Sequence, residues 1–207
     1  MRLIENLIYI PCKSKSSRLP NKNILKFNKE RLFIKTIKQA KKIKLEKYIL
    51  VDSDSDFILK SSKKLKVNIY KRKKKYTKKS TPTSDCLIDV LNYYKKKNIH
   101  FKNIIKLQVT SPLRRESDIT SAYKIFKNKN ANAVISLCKT FSPVQWANVL
   151  NKKKEINNFI SKEDIGTISQ KLKDHYQING AVYIFKTDIF LRNKKYLNLK
   201  KSFAYIM

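Results

Sequence analysis

Glycine is almost absent from this 207-residue sequence, which contains only Gly166 and Gly180. Phosphate-binding loops of the P-loop or dinucleotide-fingerprint type need several glycines at fixed spacing, so both are excluded. The three cysteines, Cys12, Cys86 and Cys138, lie far apart with no paired spacing, and there are only two histidines. This pattern excludes a cysteine-histidine zinc site and a disulfide framework, and it is typical of reduced thiols in the cytosol.

Long apolar runs are also missing. No run approaches the roughly 18 residues that a membrane-spanning helix requires. The segment 1–11 is short, polar in its middle and without a small-residue cleavage site, so we do not expect a signal peptide. Hydrophobic residues nevertheless make up 42% of the chain, enough for a globular domain of this size. We therefore expect a cytoplasmic protein with no membrane partner.

Acidic residues are few: 15 oppose 48 lysines and arginines, a formal net charge of +33. Such an excess can bind nucleic acid through counterion release. Here lysine is spread over nearly every segment, and no finger, basic zipper or aromatic RNA-binding motif accompanies it. This distribution favours a solvated basic surface over a nucleic-acid interface, and we expect its positive field to attract polyanions such as a nucleoside triphosphate.

Short apolar runs alternate with amphipathic stretches over most of the chain, which predicts an α/β fold with a mostly parallel sheet and helices on both faces. The predicted strands are 3–11, 48–51, 67–70, 104–109, 133–137 and 181–185, and another begins at 203–207. The predicted helices are 32–43, 52–64 after its start, 86–94 and 119–126. Ligands of such sheets bind at the carboxyl ends of the strands. Between 139 and 179 the pattern weakens, which indicates a loop excursion or a dimerisation arm.

The loop after the first predicted strand is rich in groups that bind phosphate. Residues 10–23 (IPCKSKSSRLPNKN) contain four positive side chains and three serines. Cations neutralise phosphate charge, and hydroxyl and backbone N–H groups donate to its oxygens. On composition alone the loop is either a triphosphate cradle or a plain polar turn.

Five segments, in order, resemble the signature of the acylneuraminate cytidylyltransferase (CMP-sialic acid synthetase) family. The first loop is similar to that family's I-P-A-R-x-G-S-K-R-L-P-x-K-N motif. The other four are 51–55 (VDSDS), Arg72 with 80–84 (STPTS), 107–114 (LQVTSPLR) and 179–184 (NGAVYI). Together they span most of the chain.

The resemblance implies a Rossmann-like nucleotide-diphospho-sugar transferase fold in a single domain, 1–207, with 140–180 as a possible dimerisation excursion. It implies transfer of CMP from CTP to a nine-carbon sugar acid, such as a neuraminate, legionaminate or pseudaminate, with release of pyrophosphate. Mg²⁺ is the implied cofactor and a homodimer the implied assembly. The product would serve lipopolysaccharide or capsule sugar synthesis.

The resemblance also implies roles for individual residues. Those assigned to catalysis are Lys13, Arg18 and Lys22. Those assigned to the nucleotide are Cys12, Ser14, Ser16, Asn23, Arg72 and Ser84. Those assigned to the sugar are Gln108, Thr110, Ser111 and Asn179. The metal ligands remain unassigned.

Several positions depart from the family pattern. They are Lys13 for arginine, Lys15 for glycine, Ser17 for lysine, Ser80 for aspartate, Ser169 for arginine and Gln145 for lysine. A lysine lacks the arginine fork, and a lysine at a glycine position loses backbone freedom. In the family a magnesium-binding D-x-D element follows a segment like 205–207, where this sequence ends. The expectation is therefore weak or absent turnover with some retained CTP affinity.

Other interpretations stay open. The eight-carbon acid Kdo is an alternative substrate, and a non-catalytic nucleotide- or polyanion-binding relative is an alternative class. Taken alone, Asn179-Gly180 also fits a turn before a strand. Thr110-Ser111-Pro112 fits the end of a strand, and Asp56 fits a cap of the following helix.

Overall fold

The structure, a computed structural model, describes residues 1–14, 19–78 and 80–207. Nine strands and five helices occur in these residues. The strands are β1 (Arg2–Pro11), β2 (Lys26–Phe27), β3 (Glu30–Arg31), β4 (Tyr48–Ser53), β5 (Asn68–Lys71), β6 (Ile99–Leu107), β7 (Ala133–Lys139), β8 (Tyr176–Lys186) and β9 (Ser202–Ile206). The helices are α1 (Leu32–Lys42), α2 (Asp56–Lys64), α3 (Thr83–Lys95), α4 (Glu116–Asn128) and α5 (Thr187–Asn193).

Seven strands form one sheet in the order β5-β4-β1-β6-β8-β7-β9, and β2 with β3 forms a separate hairpin. β1 pairs in parallel with β4 and β6, and β4 pairs in parallel with β5. β8 runs antiparallel to β6. The carboxyl ends of β1, β4, β5 and β6 therefore share one edge of the sheet, where the predicted binding loops begin.

Helices cover both faces of the sheet because its strands are apolar on both sides. Ile8 and Ile10 of β1 pack in one core with residues of α1, α2 and α4. On the opposite face, Tyr70 of β5 donates its hydroxyl to Asp89 of α3 at 2.6 Å. Phe185 and Phe190 bring α5 to that face as well, with ring centroids 5.2 Å apart. The fold class predicted from the sequence is confirmed.

Asparagine and lysine take the backbone conformations that glycine usually supplies. Positive φ angles occur at eleven described non-glycine residues, all of them asparagine or lysine: Asn21, Asn28, Lys29, Lys66, Asn98, Asn130, Lys154, Asn158, Lys194, Asn198 and Lys201. Asparagine tolerates this region better than most residues. The two glycines also have positive φ, 77° at Gly166 and 76° at Gly180.

The predicted strands and helices are confirmed, with shifted ends and additions. The β2–β3 hairpin and α5 were not predicted, and β8 begins five residues earlier than expected, at Tyr176. The cap assigned to Asp56 was wrong. The N-cap of α2 is Ser55, whose side chain accepts a hydrogen bond from the Ile58 N–H, while Asp56 lies in the first turn.

By its internal contacts the chain divides into two compact units. Residues 1–136 and 180–205 form the first, and residues 137–179 with 206–207 form the second. Most of the predicted 140–180 excursion belongs to the second unit. None of the helices in the described ranges is long and apolar enough to cross a membrane.

Candidate active site

The loop after β1 is attached to the end of β4 through Cys12. Its backbone N–H donates to the carbonyl of Asp52 at 2.8 Å, and its own carbonyl accepts from the Ser53 hydroxyl at 2.6 Å. The Cys12 side chain is fully buried, and burial raises the pKa of its thiol far above the ordinary value. Cys12 thus offers neither a thiolate nor an exposed side chain to a ligand, and its contribution is to fix where the loop starts.

Ser14 is held by one carboxylate, that of Asp54, which directly follows the two Cys12 partners Asp52 and Ser53 in the chain. Its N–H donates to Asp54 Oδ1 at 2.7 Å and its hydroxyl donates to Asp54 Oδ2 at 2.6 Å. Partial burial opposes ionisation of Asp54, but the hydrogen bonds from Ser14 outweigh it, so the pKa of Asp54 lies below its ordinary value. The carboxylate stays charged at neutral pH and fixes the position of Ser14.

Lys13 and Asn23 connect this loop to two neighbouring segments. Lys13 Nζ donates to the carbonyl of Lys78, 2.7 Å away, in the stretch after β5. Asn23 is buried, and its side-chain amide donates to the Lys13 carbonyl at 2.7 Å. Lys22 lies in the 3₁₀ turn beside Asn23, and among the described residues its ammonium forms no ion pair. The side chains of Ser16 and Arg18, assigned to the same loop, lie outside the described residues.

Arg72 begins the loop after β5 and is only 7% exposed. Its Nε and Nη2 donate to the two oxygens of Asp52 at 3.0 and 2.7 Å. The Tyr9 hydroxyl donates to the same carboxylate at 2.5 Å. Burial opposes the charged guanidinium, but Asp52 overcomes this and holds the pKa of Arg72 above its ordinary value. Arg72 is therefore committed mainly to a buried ion pair that joins β1, β4 and the β5 loop.

Lys73 is anchored by a second buried carboxylate. Its ammonium donates to Asp89 Oδ1 at 2.5 Å, and the Tyr70 hydroxyl donates to the other oxygen of Asp89. Consecutive cations after β5 are thus each tied to an aspartate that also accepts a tyrosine hydroxyl. Ser84, in the first turn of α3, is half-buried, and its hydroxyl lies 3.4 Å from the neighbouring Asp85 carboxylate.

A second group of candidate residues surrounds Gln108 at the end of β6. Arg114 donates from Nη1 to the Gln108 carbonyl at 3.0 Å and to the Ala181 carbonyl at 2.7 Å. From Nη2 it donates to Gln39 Oε1 at 2.9 Å, and Gln39 donates back to the Arg114 carbonyl. Burial lowers the pKa of Arg114 to about 10, so the guanidinium is charged at neutral pH. Its hydrogen bonds connect the loop after β6 to β8.

Thr110, Ser111 and Asn179 complete the set predicted for the sugar. Thr110 is exposed, and the Ser111 carbonyl accepts from the Arg114 N–H at 3.2 Å in the turn before α4. Asn179 belongs to the second unit, where its amide nitrogen lies 3.3 Å from the Met207 sulfur. It directly precedes Gly180 in β8.

The described residues do not form a magnesium site by themselves. In the ranges 1–14, 19–78 and 80–207, no three histidine, cysteine, aspartate or glutamate side chains come together. Both oxygens of Asp54 are already bonded to Ser14, and both oxygens of Asp52 accept hydrogen bonds from Arg72 and Tyr9. Mg²⁺ prefers free carboxylate and phosphate oxygens, so these side chains do not fit the expected metal.

Asp52 and Tyr9 belong to this site although the sequence did not mark them as functional. The available signal was an aspartate directly after the apolar run Tyr48–Val51, a position that the strand pattern predicts to be buried. A buried carboxylate needs a cationic or hydrogen-bonding partner. Choosing Arg72 as that partner requires the register of β4 with β5, which local sequence does not contain.

Three proteins show what this chain is similar to. Post-translational flagellin modification protein B of Campylobacter coli is 29% identical over 201 residues, covering 91% of this chain and 80% of that protein. N-acylneuraminate cytidylyltransferase of Streptococcus agalactiae is 26% identical over 200 residues, covering 96% of this chain. The chain spans only 47% of that second relative, about half its length.

The solved structure of a CMP:2-keto-3-deoxy-manno-octonic acid synthetase complexed with CTP superposes with a TM-score of 0.69. The match covers 98% of this chain and 90% of that one, at 13% identity, which supports a common fold. The sequence profile described as cytidylyltransferase matches residues 7–205, nearly the whole chain. The match includes every strand and loop that carries the groups around Ser14, Arg72 and Gln108, and the chain belongs to the cytidylyltransferase family.

Proposed function

We propose that this protein transfers CMP from CTP to a nine-carbon 2-keto sugar acid of the sialic-acid type and releases pyrophosphate. The observation that carries the proposal is the pair of side chains that hold the start of the loop after β1, Asp54 at Ser14 and Asn23 at Lys13, with Lys22 next to Asn23 in the chain. Family membership supplies the nucleotide class, and the name of the Streptococcus agalactiae relative supplies the sugar class.

On the nucleotide side, the proposed roles follow the environment of each group. Among the described residues of this loop, Lys22 is proposed to neutralise the triphosphate, since Lys13 already binds the Lys78 carbonyl. Both donors of Ser14 are bonded to Asp54, so Ser14 would position the start of the loop for the nucleotide. Arg72 and Ser84 would face the cytidine, with Arg72 oriented by Asp52 and acting through hydrogen bonds more than through free charge.

On the sugar side, Gln108 is the proposed reader of the acid, with Thr110 and Ser111 supplying further polar groups. A carboxamide can donate to the sugar carboxylate and accept from a hydroxyl without bringing a charge. The Gln108 carbonyl is held by Arg114, so the backbone from which this side chain extends is fixed before the sugar arrives.

The chemistry is an in-line displacement at phosphorus. The anomeric hydroxyl oxygen of the sugar acid attacks the α-phosphorus of CTP, the bond to the bridging oxygen breaks, and pyrophosphate leaves with that electron pair. The hydroxyl proton passes to solvent or to the leaving group. The protein contributes position and neutralisation of the developing charge. A divalent cation would enter with CTP and would neutralise phosphate charge.

The assay that tests this proposal measures pyrophosphate release from CTP with a neuraminate, a legionaminate, a pseudaminate and Kdo, in buffer containing Mg²⁺. We expect turnover with a nine-carbon acid. CTP binding by calorimetry without turnover would favour the non-catalytic relative, and turnover with Kdo alone would favour the eight-carbon substrate. Absence of both binding and turnover would remove all three functions.

Replacing Lys22 with alanine should lower kcat about 100-fold, because a preorganised charge on the triphosphate is lost. The matched control is Lys26→Ala, which removes an exposed lysine four residues away in β2. We expect its kcat to stay within about twofold, the usual result for a solvated side chain. Equal losses in the two variants would show that net charge, and not Lys22, supports the reaction.

We also propose that the second unit joins two copies of this chain. It exposes many large apolar side chains: Phe141, Val149, Ile156, Ile165 and Ile168. Exposed apolar side chains in that number on a small unit indicate an interaction surface, and a second copy offers the same apolar chemistry in return.

Light scattering with size-exclusion chromatography is expected to show a dimer. Phe141→Asp with Val149→Asp should shift it toward monomer, whereas Leu113→Asp, at an exposed apolar residue of the first unit, should not. A monomeric parent protein, or dissociation by Leu113→Asp, would contradict the assignment.

A further inference from the structure

Gly180 lies against the side chain of Gln108. A Cβ built on Gly180 would stand 2.9 Å from Gln108 Oε1 and 3.4 Å from Gln108 Cδ. Real Cβ atoms essentially never approach another heavy atom at the shorter distance. The Gln108 carboxamide therefore occupies space that exists only because residue 180 has no side chain.

The Gln108 backbone is fixed independently of its side chain. Arg114 is 2% exposed, and its Nη1 donates to the carbonyls of both Gln108 and Ala181. Its Nη2 donates to the Gln39 side-chain oxygen. The β6 end and the β8 segment that carries Gly180 are thereby held together. If Gly180 gained a methyl group, these hydrogen bonds would oppose a shift of either backbone segment.

The group that yields is the Gln108 side chain. The atom that a Cβ would strike is the tip of a flexible side chain, which can rotate at little energetic cost. A side chain at position 180 would therefore leave the fold intact and displace the carboxamide. The substitution would then weaken binding of the ligand that the Gln108 carboxamide contacts.

We propose that Gly180 is the positioning residue that sets the Gln108 carboxamide in the orientation that reads the acidic sugar. Arg114 fixes the backbone from which that side chain extends. The inference rests on the proposed function, and it goes further by naming the residue that limits sugar recognition without touching the sugar. Any side chain larger than hydrogen at this position reduces sugar affinity and spares CTP.

The chain contains a matched control in its other glycine. Gly166 has almost the same φ, 77° against 76°, but a Cβ there would meet nothing within 4 Å. Gly166→Ala and Gly180→Ala thus both place a side chain at a residue of positive φ, a conformation that residues with a Cβ rarely adopt. They differ in that only Gly180→Ala strikes Gln108.

We expect both variants to lower Tm, while only Gly180→Ala raises KM for the sugar acid, by about tenfold or more, as loss of one hydrogen bond to a charged group does. KM for CTP should change less than about twofold in either variant. In a Gln108→Ala background, Gly180→Ala should add nothing to the sugar KM, because the displaced group is gone.

Equal effects of the two alanines on the sugar KM, or a full additional loss in the Gln108→Ala background, would overturn the inference. A further readout separates it from the proposed function. The side-chain amide resonances of Gln108, assigned by their loss in Gln108→Ala, should shift in Gly180→Ala and stay in place in Gly166→Ala. If the parent protein does not transfer CMP, the proposed function fails, but the resonances still test the positioning. Gln108 amide resonances that stay unchanged in Gly180→Ala would refute the positioning role of Gly180.

Discussion

Replacing Asp52 with asparagine is expected to lower the free energy of unfolding by about 3 kcal/mol, the scale for breaking a buried ion pair by removing one partner. Asp52 is fully buried and accepts two hydrogen bonds from Arg72 and one from Tyr9. Asparagine keeps the size of the side chain but not the charge, so Arg72 would remain buried without its counterion. Urea unfolding followed by circular dichroism measures the change.

The chain offers a control of the same chemistry in an exposed setting. Asp188 and Arg192 of α5 form an ion pair at 3.0 Å with side chains 66% and 68% exposed. Asp188→Asn should cost less than about 0.5 kcal/mol, since solvent screens such pairs. Similar losses at Asp52 and Asp188 would contradict the role given to the buried pair.

A second variant separates the charge from the shape of the Asp52 site. Replacing Asp52 with valine, Arg72 with methionine and Tyr9 with phenylalanine removes both charges and the buried hydroxyl that Asp52 accepts, and apolar groups of this kind are often as stable as the ion pair they replace. We expect the triple variant to recover most of the stability lost in Asp52→Asn. It should not recover CTP binding, because Arg72 is proposed to face the cytidine. Recovery of both properties would reduce Arg72 to a structural role.

Local patterns account for the elements that the sequence predicted correctly. Apolar runs such as Leu7–Ile10 and the helical spacing of 32–43 are visible within about ten residues, and strand–helix alternation then indicates a parallel sheet. The loops at the sheet edge follow from the same alternation. Short elements such as β2, β3 and α5 were missed because they are only two to seven residues long.

The contacts that shape the site join segments distant in sequence. Ser14 and Asp54 are 40 residues apart, and Gln39 and Arg114 are 75 apart. Each pairing depends on strand order and register, which no local pattern specifies. Arg114 is harder still to foresee, because its main partners are backbone carbonyls.

Lys106 is a buried lysine that the sequence could not distinguish from the exposed ones. In a sequence so rich in lysine, nothing distinguished it from the solvated majority. In the structure it is 2% exposed, its ammonium donates to the Tyr196 hydroxyl at 2.6 Å, and it lies over the rings of Tyr183 and Tyr196 at 4.1 and 4.4 Å. Ring faces and one hydroxyl replace water poorly, and burial lowers the pKa of Lys106 to about 8.

The contribution of Lys106 to stability is expected to increase as pH rises from about 8 to about 10. The folded pKa of Lys106 lies below the ordinary value of 10.5, so the unfolded chain holds the proton more tightly in this interval. This contribution grows by up to about 1.4 kcal/mol per pH unit, and the cost of burying the charge is fully present below pH 8. Buried groups whose folded pKa is raised, such as the Cys12 thiol and the Tyr196 hydroxyl, act in the opposite direction above about pH 9. The Lys106 contribution is therefore read as the difference between the parent protein and a variant without the ammonium.

The stability of the parent protein relative to Lys106→Met is expected to increase between pH 8 and pH 10. Lys102→Met is the control, because Lys102 lies on the same strand with its side chain 57% exposed, and its profile should follow that of the parent protein. Urea unfolding at several pH values gives the three curves. A difference between the parent protein and Lys106→Met that does not change with pH, or an equal change for Lys102→Met, would show that the ammonium of Lys106 is not the group that titrates. A difference that grows with pH for Lys106→Met alone would show that the fold buries this charge at a cost in stability.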